Sequence, residues 1–389
     1  MENNPWGEIS GIRPVKIIRT MLKNGKTEKE AEDFFRLQHK VNDEKTKLSL
    51  EIAKLEMNIL KEINENDICI YIGIPFCKTR CLYCSFVTNT ASSSAHLIKP
   101  FVNALVKEIQ YTSEIVKKMG SRIVSLYIGG GTPTTLSPEQ LTNIISECRK
   151  WFDLSALKEF TVEAGRPDTI DEDKLLALKN CGVSRISINP QTMNDKTLML
   201  IGRQHSANEI IDSFNLARNL GFDNINMDII AGLPGEGLDD FIYTLSEVEK
   251  LNPESITVHT MSIKRGSKLH ETLGDYALTD GKIVASMVDY ALDYICKHNK
   301  KPYYLYRQKN ILGNLENVGY SKSGYECLYN IMIMEETSTI ISLGAGGVTK
   351  TVNPKNDRIE RIFNVKETSE YVSRIDEMCR RKDSITDFI

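Results

Sequence analysis

No uninterrupted apolar run in this chain reaches the roughly 18 residues of a membrane span. Long basic runs are missing too. With 49 Lys+Arg against 52 Asp+Glu the net charge is -3, so nothing favours a polyanion such as nucleic acid as partner. The opening residues, MENNPWGEISGIRP, lack a charged segment followed by an apolar core, so no signal peptide is expected. An even set of cysteines is absent: there are nine, and six of them (Cys69, Cys148, Cys181, Cys296, Cys327, Cys379) stand alone. Lone cysteines read as buried, reduced thiols, which argues for a cytoplasmic protein. The rest of the composition, 41% hydrophobic and 26% charged over 389 residues, suits a soluble globular protein of one large domain or two smaller ones.

Residues 1–66 read as an N-terminal helical region. Leu48, Ile52, Leu55 and Ile59 recur at helical spacing and line one face. Pro14 and the polar stretch LKNGKTEKEAED divide the region into short helices. From residue 67, strands alternate with helices. The expected strands are ICIYIGIPF (68–76), IVSLYIGG (123–130), EFTVEA (159–164), RISINP (185–190), NINMDIIAG (224–232) and SITVHTM (255–261). Helices are expected at about 100–119, from 137, and at about 171–181, 207–221 and 237–251. Ser137 before Pro138 and Asp171 supply N-caps, and Gly182 and Gly221 stand where helices end. Right-handed crossovers would curl these strands into an α/β fold, a partial (β/α)6 TIM-like barrel over residues 67–262. The alternation is lost after 262. A turn-rich loop, a helix at 281–298, STIISLGAGGVTK as a strand entering a glycine loop, and a helical end predict a smaller α+β domain over 263–389, covering one barrel face.

The chemistry starts at IPFCKTRCLYC, where Cys77, Cys81 and Cys84 fall within eight residues as C-x3-C-x2-C. Three cysteines cannot pair off, and thiolates this close favour zinc or an iron–sulfur cluster. A structural zinc site needs four ligands, and His96 is the nearest candidate for a fourth. On a 4Fe–4S cluster, three thiolates instead leave one iron open to a ligand. In YIGGGTPTTL (127–136), three glycines let backbone approach a ligand and offer N–H groups to an anion. Parallel barrels place their sites at the C-terminal ends of strands. The cysteines follow the first expected strand and GGGTP ends the second. Glu163 ends the third, Asn189 and Gln191 the fourth, and Asp228 lies in the fifth.

The cysteine spacing, with Tyr83 before the last Cys, resembles the signature of radical S-adenosylmethionine (SAM) enzymes. GGGTPT, TVEAGRP, RISINPQTM, IGRQH and MDIIAGLPGE follow it in one order. Together they resemble the oxygen-independent coproporphyrinogen III oxidase family over about 68–350. PWGEISGIRP, PYYLYRQKNILGNLENVGY and SLGAGGVTK are similar to its coproporphyrinogen dehydrogenase branch. Members of that branch carry sequence ahead of PWGEISGIRP, so this chain is expected to lack an N-terminal region. The resemblance implies that Cys77, Cys81 and Cys84 hold a 4Fe–4S cluster. It implies that Tyr71, Gly130, Glu163 and Val348 hold the cluster-bound SAM. Tyr83, Gly131, Thr132, Gln191, Arg203, Asp228 and Ser262 would hold a second SAM. The implied activity belongs to haem biosynthesis: oxidative decarboxylation of a tetrapyrrole's propionates to vinyls, with a small electron-transfer protein as reductant. The alternatives are a haem chaperone on the same fold and a radical SAM enzyme on another tetrapyrrole. Three positions depart from the family pattern. Phe86 replaces a further Cys of the oxidases, Gly73 replaces a His, and Tyr329-Asn330 replaces the His-Asn pair of the chaperones. Propionates need cations, and Lys264, Arg265, Arg307 and Lys309 are expected near the barrel mouth. No residue is assigned to a catalytic step, and the sequence carries no signal of oligomeric state.

Overall fold

Isoleucine at every second position of DICIYIGI gives a strand one continuous apolar face. The computed structural model describes residues 4–86, 89–353 and 358–388, and there this stretch is β1 (Asp67–Ile74). The other expected strands follow as β2 (Arg122–Gly130), β3 (Glu159–Gly165), β4 (Arg185–Ile188), β5 (Ile225–Ala231) and β6 (Ser255–Thr260). Each pairs in parallel with the next. Ile70 and Ile72 of β1, Ile128 of β2, Val162 of β3 and Met227 of β5 are fully buried in the main core. There they share a cluster with Leu105, Ile144, Leu178 and Phe214 from the crossover helices. Burying each such side chain contributes about 1.5–3 kcal/mol.

The alternate positions face inward, and they are polar or aromatic. Tyr71, Tyr127, Thr161, Glu163, Ser187, Asn226, Asp228, Thr257 and His259 line one interior cavity. A closed barrel packs Val, Ile and Leu there. Polar lining keeps this interior open to a ligand instead.

Residues 263–389 add β7 (Lys301–Tyr306), β8 (Asn317–Ser321), β9 (Ile340–Leu343), β10 (Val348–Val352) and β11 (Ile359–Phe363). Among the described residues the sheet has eleven strands in the order β11-β10-β9-β1-β2-β3-β4-β5-β6-β8-β7. β9 runs parallel to β1, whereas β8 is antiparallel to β6. The C-terminal strands thus continue the sheet on both sides, where cover over one face was expected. Parallel strands left open at two edges carry unpaired N–H and C=O groups, and these additions satisfy them.

The helices begin where their caps predict. Ser137 and Gln140 form a capping box, as do Ser206 and Glu209, and Asp171 accepts from Lys174 N at 2.9 Å. The helix Leu328–Glu335 seals the N-terminal end of the barrel. Its Leu328 and Tyr329 amides donate to Glu159, the first residue of β3, at 2.8 and 3.3 Å. Arg185, the first residue of β4, donates to Tyr325 O and to Ser255 Oγ. A carboxylate at a helix N-terminus is favourable there. With that end closed, a ligand enters from the C-terminal ends of the strands. Among the described residues, no helix is long and apolar enough to cross a membrane.

Candidate functional site

Leu82 fixes the cysteine loop. It is buried among Ile201, Ile230, Leu233, Met261 and Leu269. Its N–H donates to Ile201 O at 3.0 Å, and its carbonyl accepts from Leu269 N at 2.9 Å. Ahead of it, Phe76–Cys77 pairs in parallel with Asn89–Thr90. These anchors turn Cys77, Cys81 and Cys84 toward one cavity of about 480 Å³. Thr132 Oγ1 donates to Cys77 Sγ at 3.5 Å. Arg166 Nη1 lies 3.8 Å from Cys81 Sγ. The same nitrogen donates to Thr79 Oγ1 at 2.8 Å, while Nε and Nη2 fork onto Asp168 at 3.0 and 2.9 Å. A buried guanidinium held this way orients the loop around Cys81. Sequence reasoning passed over Arg166. Its signal was an Arg directly before a Pro at the end of a strand, in TVEAGRP.

Among the described residues, no three His, Cys, Asp or Glu side chains converge as ligands of a single ion. Thiolates that hold separate corners of an iron–sulfur cube stand farther apart than ligands of one zinc. His96 is exposed and lines no part of this cavity, so it offers no fourth ligand. The donor set fits a 4Fe–4S cluster with one open iron.

The triple glycine works differently from the expected anion cradle. Gly131 N donates to Ile74 O and Thr132 N to Phe76 O, both at 2.7 Å, so these amides are taken. What the glycines permit is close approach. Gly130 has φ +103°, and a Cβ on Gly131 would stand 2.4 Å from Phe76 O. The second strand can therefore lie directly against the cysteine loop. Gly130, Gly131 and Thr132 still line the cavity.

Two carboxylates share that cavity in different states. Burial pushes Glu163 up to about 7, against a hydrogen bond from Tyr127 Oη at 2.7 Å. Burial also works to raise Asp228, but His259 at 3.6 Å and a hydrogen bond from Asn226 outweigh it and hold Asp228 below the usual carboxylate range. Gln191 is buried with φ +68°, a conformation few side chains adopt, and its Oε1 has no partner among the described residues. Arg203 donates from Nη1 to Asn189 O and leaves Nε without a partner among the described residues. Orphaned polar atoms in a buried wall point to a polar ligand. Tyr83 and Ser262 line the same cavity.

Val348 lines a second cavity of about 450 Å³. The two cavities share Tyr71, Phe86, Gly130, Gly131, Tyr329 and Ile333, so they adjoin. The glycine loop ahead of Val348 hangs on Glu108, which accepts from Gly344 N at 2.8 Å, Asn364 Nδ2 at 2.7 Å, Tyr371 Oη at 2.7 Å and Lys382 Nζ at 2.6 Å. Phe86 is 59% exposed at the junction of the cavities. A Cβ on Gly73 would meet Tyr71 Cε1 at 3.5 Å, an ordinary contact. Tyr329 stacks on Tyr127 at 4.5 Å and on Tyr71 at 5.7 Å. Burial pushes its phenol well above the usual value.

The expected mouth cations divide. Lys264 lines the main cavity. Arg307, Arg265 and Lys309 line neither cavity. Arg307 instead donates to Ile9 O and Asn314 Oδ1 and lies 5.3 Å over the Trp6 ring, so it holds the N-terminal segment.

Comparison with known proteins adds to this geometry. The profile of the Radical SAM superfamily matches residues 71–248. The oxygen-independent coproporphyrinogen-III oxidase-like protein HemZ of Bacillus subtilis is 42% identical over 374 residues, covering 95% of this chain and 75% of that protein. The heme chaperone HemW of the same organism is 31% identical, covering 73% of this chain and 72% of that one. Among solved structures, the coproporphyrinogen III oxidase HemN of Escherichia coli, a radical SAM enzyme, superposes with a TM-score of 0.63 at 21% identity, over 80% of this chain and 70% of that one.

Proposed function

Because the chain belongs to the radical SAM superfamily, among its oxygen-independent coproporphyrinogen-III oxidase-like members, we propose that it converts propionates of coproporphyrinogen III to vinyl groups without oxygen. The observation that carries this reading is the meeting of three cysteines, two carboxylates in different states and an orphaned Gln191 amide around one cavity. When bound, the 4Fe–4S cluster and SAM used by this superfamily supply a 5′-deoxyadenosyl radical, which takes a hydrogen atom from the substrate.

The protein's part is to hold, orient and keep dry. Cys77, Cys81 and Cys84 hold the cluster. Tyr71, Gly130, Glu163 and Val348 would hold the cluster-bound SAM, with Glu163 as an acceptor for ribose hydroxyls or the amine. Tyr83, Gly131, Thr132, Gln191, Arg203, Asp228 and Ser262 serve a second SAM. The Nε of Arg203 is available to donate to a carboxylate. The stack of Tyr71, Tyr127 and Tyr329 excludes water from one wall. A small electron-transfer protein supplies the electron, and a reducing, cytoplasmic location suits a site built on three thiolates. Haem delivery draws less support, because Tyr329 is a stacked, buried phenol far from ready to ligate iron as phenolate.

The test is anaerobic. Reconstituted protein is given SAM, reductant and coproporphyrinogen III, and 5′-deoxyadenosine, CO2 and porphyrin products are measured. The reading predicts deoxyadenosine together with CO2 and two new vinyls per substrate. Deoxyadenosine without CO2 would shift it to another tetrapyrrole reaction. No deoxyadenosine, with tight haem binding, would shift it to a haem carrier.

A further inference from the structure

Five cations line the main cavity: Arg80, Arg166, Arg185, Arg203 and Lys264. Arg166 is committed to Asp168, and Arg185 to Asn224, Tyr325 and Ser255. Arg203 donates to Asn189 O. Arg80 donates from Nη2 to Gly266 O, and its buried Nε has no partner among the described residues. Lys264 is the outlier. It is half-buried in the cavity wall, and among the described residues no ion pair reaches its ammonium. A partly desolvated ammonium without a counter-ion is costly unless a ligand completes it.

The backbone holds Lys264 in place. Ile263 N donates to Asn310 O at 3.1 Å, and Lys264 O accepts from Ser267 N at 2.9 Å and Ser267 Oγ at 2.7 Å. The Arg80 bond to Gly266 O ties this turn to the cysteine loop, so Lys264 and the unpartnered Nε of Arg80 come from one junction among the described residues. Phe86, Tyr306 and His259 line the same cavity and offer flat surfaces to a macrocycle.

We propose that Lys264, together with Arg80, forms a carboxylate-binding subsite at the β6 side of the cavity, and that it takes a propionate of the tetrapyrrole. This rests on the substrate class proposed above. SAM carries a carboxylate too. Yet the residues assigned to the cluster-bound SAM come from β1, β2, β3 and β10, and Arg203 already offers a cation for the second. Coproporphyrinogen III has four propionates and only two react, so the others need fixed anchors to present the right side chain to the radical.

The test uses reconstituted holoprotein and coproporphyrin III, a fluorescent and stable form of the macrocycle, beside its tetramethyl ester. Lys264→Ala is expected to weaken the tetra-acid about tenfold and the ester less than twofold. Lys264→Arg should restore most of the loss, and SAM affinity should stay at the wild-type value. Equal losses for acid and ester would overturn the subsite, as would unchanged binding of both. A loss confined to SAM would assign the lysine to the cofactor and overturn it as well. Failure of the wild-type protein to bind coproporphyrin III would instead remove the substrate class on which the subsite depends.

Discussion

Glu163 shows how burial sets chemistry one residue at a time. Burial raises its carboxyl from 4.5 to about 7. A raised carboxyl binds a proton in the folded state that the unfolded chain releases. Its contribution to stability therefore declines as pH rises from about 4.5 to about 7 and is level above that. A ligand that needs the carboxylate as acceptor has the opposite slope. SAM affinity is expected to strengthen as pH rises to about 7 and then level, and Glu163→Gln should flatten the curve. Equilibrium binding from pH 5.5 to 8.5 checks this; the same slope in the Gln variant would place the titration elsewhere. At this scale the cysteines were legible because three of them within eight residues suit little besides a metal centre. Arg166 and Lys264 were harder, since a single charged residue most often lies on a solvated surface. Arg307 was misplaced for a plain reason: its partner Ile9 is 298 residues away in sequence, and no local pattern records that pairing.

Elements were legible where local rules decide them. The parallel strands and the capped helices follow from periods of two and 3.6 and from Ser and Asp caps. Whereas β9 was expected from STIISLGAGGVTK, β7, β8, β10 and β11 were less legible. Their segments are short and mixed, and they become strands because a sheet edge is there to pair with. The Ala95–Met119 helix gives a test at this level. Its Glu108 and Lys382 are a buried ion pair at 2.6 Å, and the carboxylate also holds the glycine loop before Val348. Removing one partner of such a pair leaves a buried charge, at a cost of about 3–5 kcal/mol. Glu108→Ala should lower the unfolding free energy by that amount, read from denaturant titration. Glu108→Gln, which keeps most of the shape, should fall between it and wild type. A change under about 1 kcal/mol in the Ala variant would contradict the hub.

Across the whole molecule, one alternation separates two jobs. Outward isoleucines and valines bind the strands to their helices, while inward tyrosines, hydroxyls and carboxylates line a cavity. The Leu328–Glu335 helix closes one end, and the cysteine loop stands at the other. This arrangement puts three cysteine sulfurs, a polar wall and room for ligands at a single mouth. On the function proposed above, the fourth iron of the cluster, which no cysteine reaches, would be held by SAM. Electron–nuclear double resonance on the reduced cluster, with SAM labelled by 17O in its carboxylate and 15N in its amine, tests that claim most directly. Resolved coupling from both labels is predicted, lost when Cys81→Ala removes the cluster. A wild-type cluster whose spectrum is unchanged by SAM, with no coupling from either label, would contradict it.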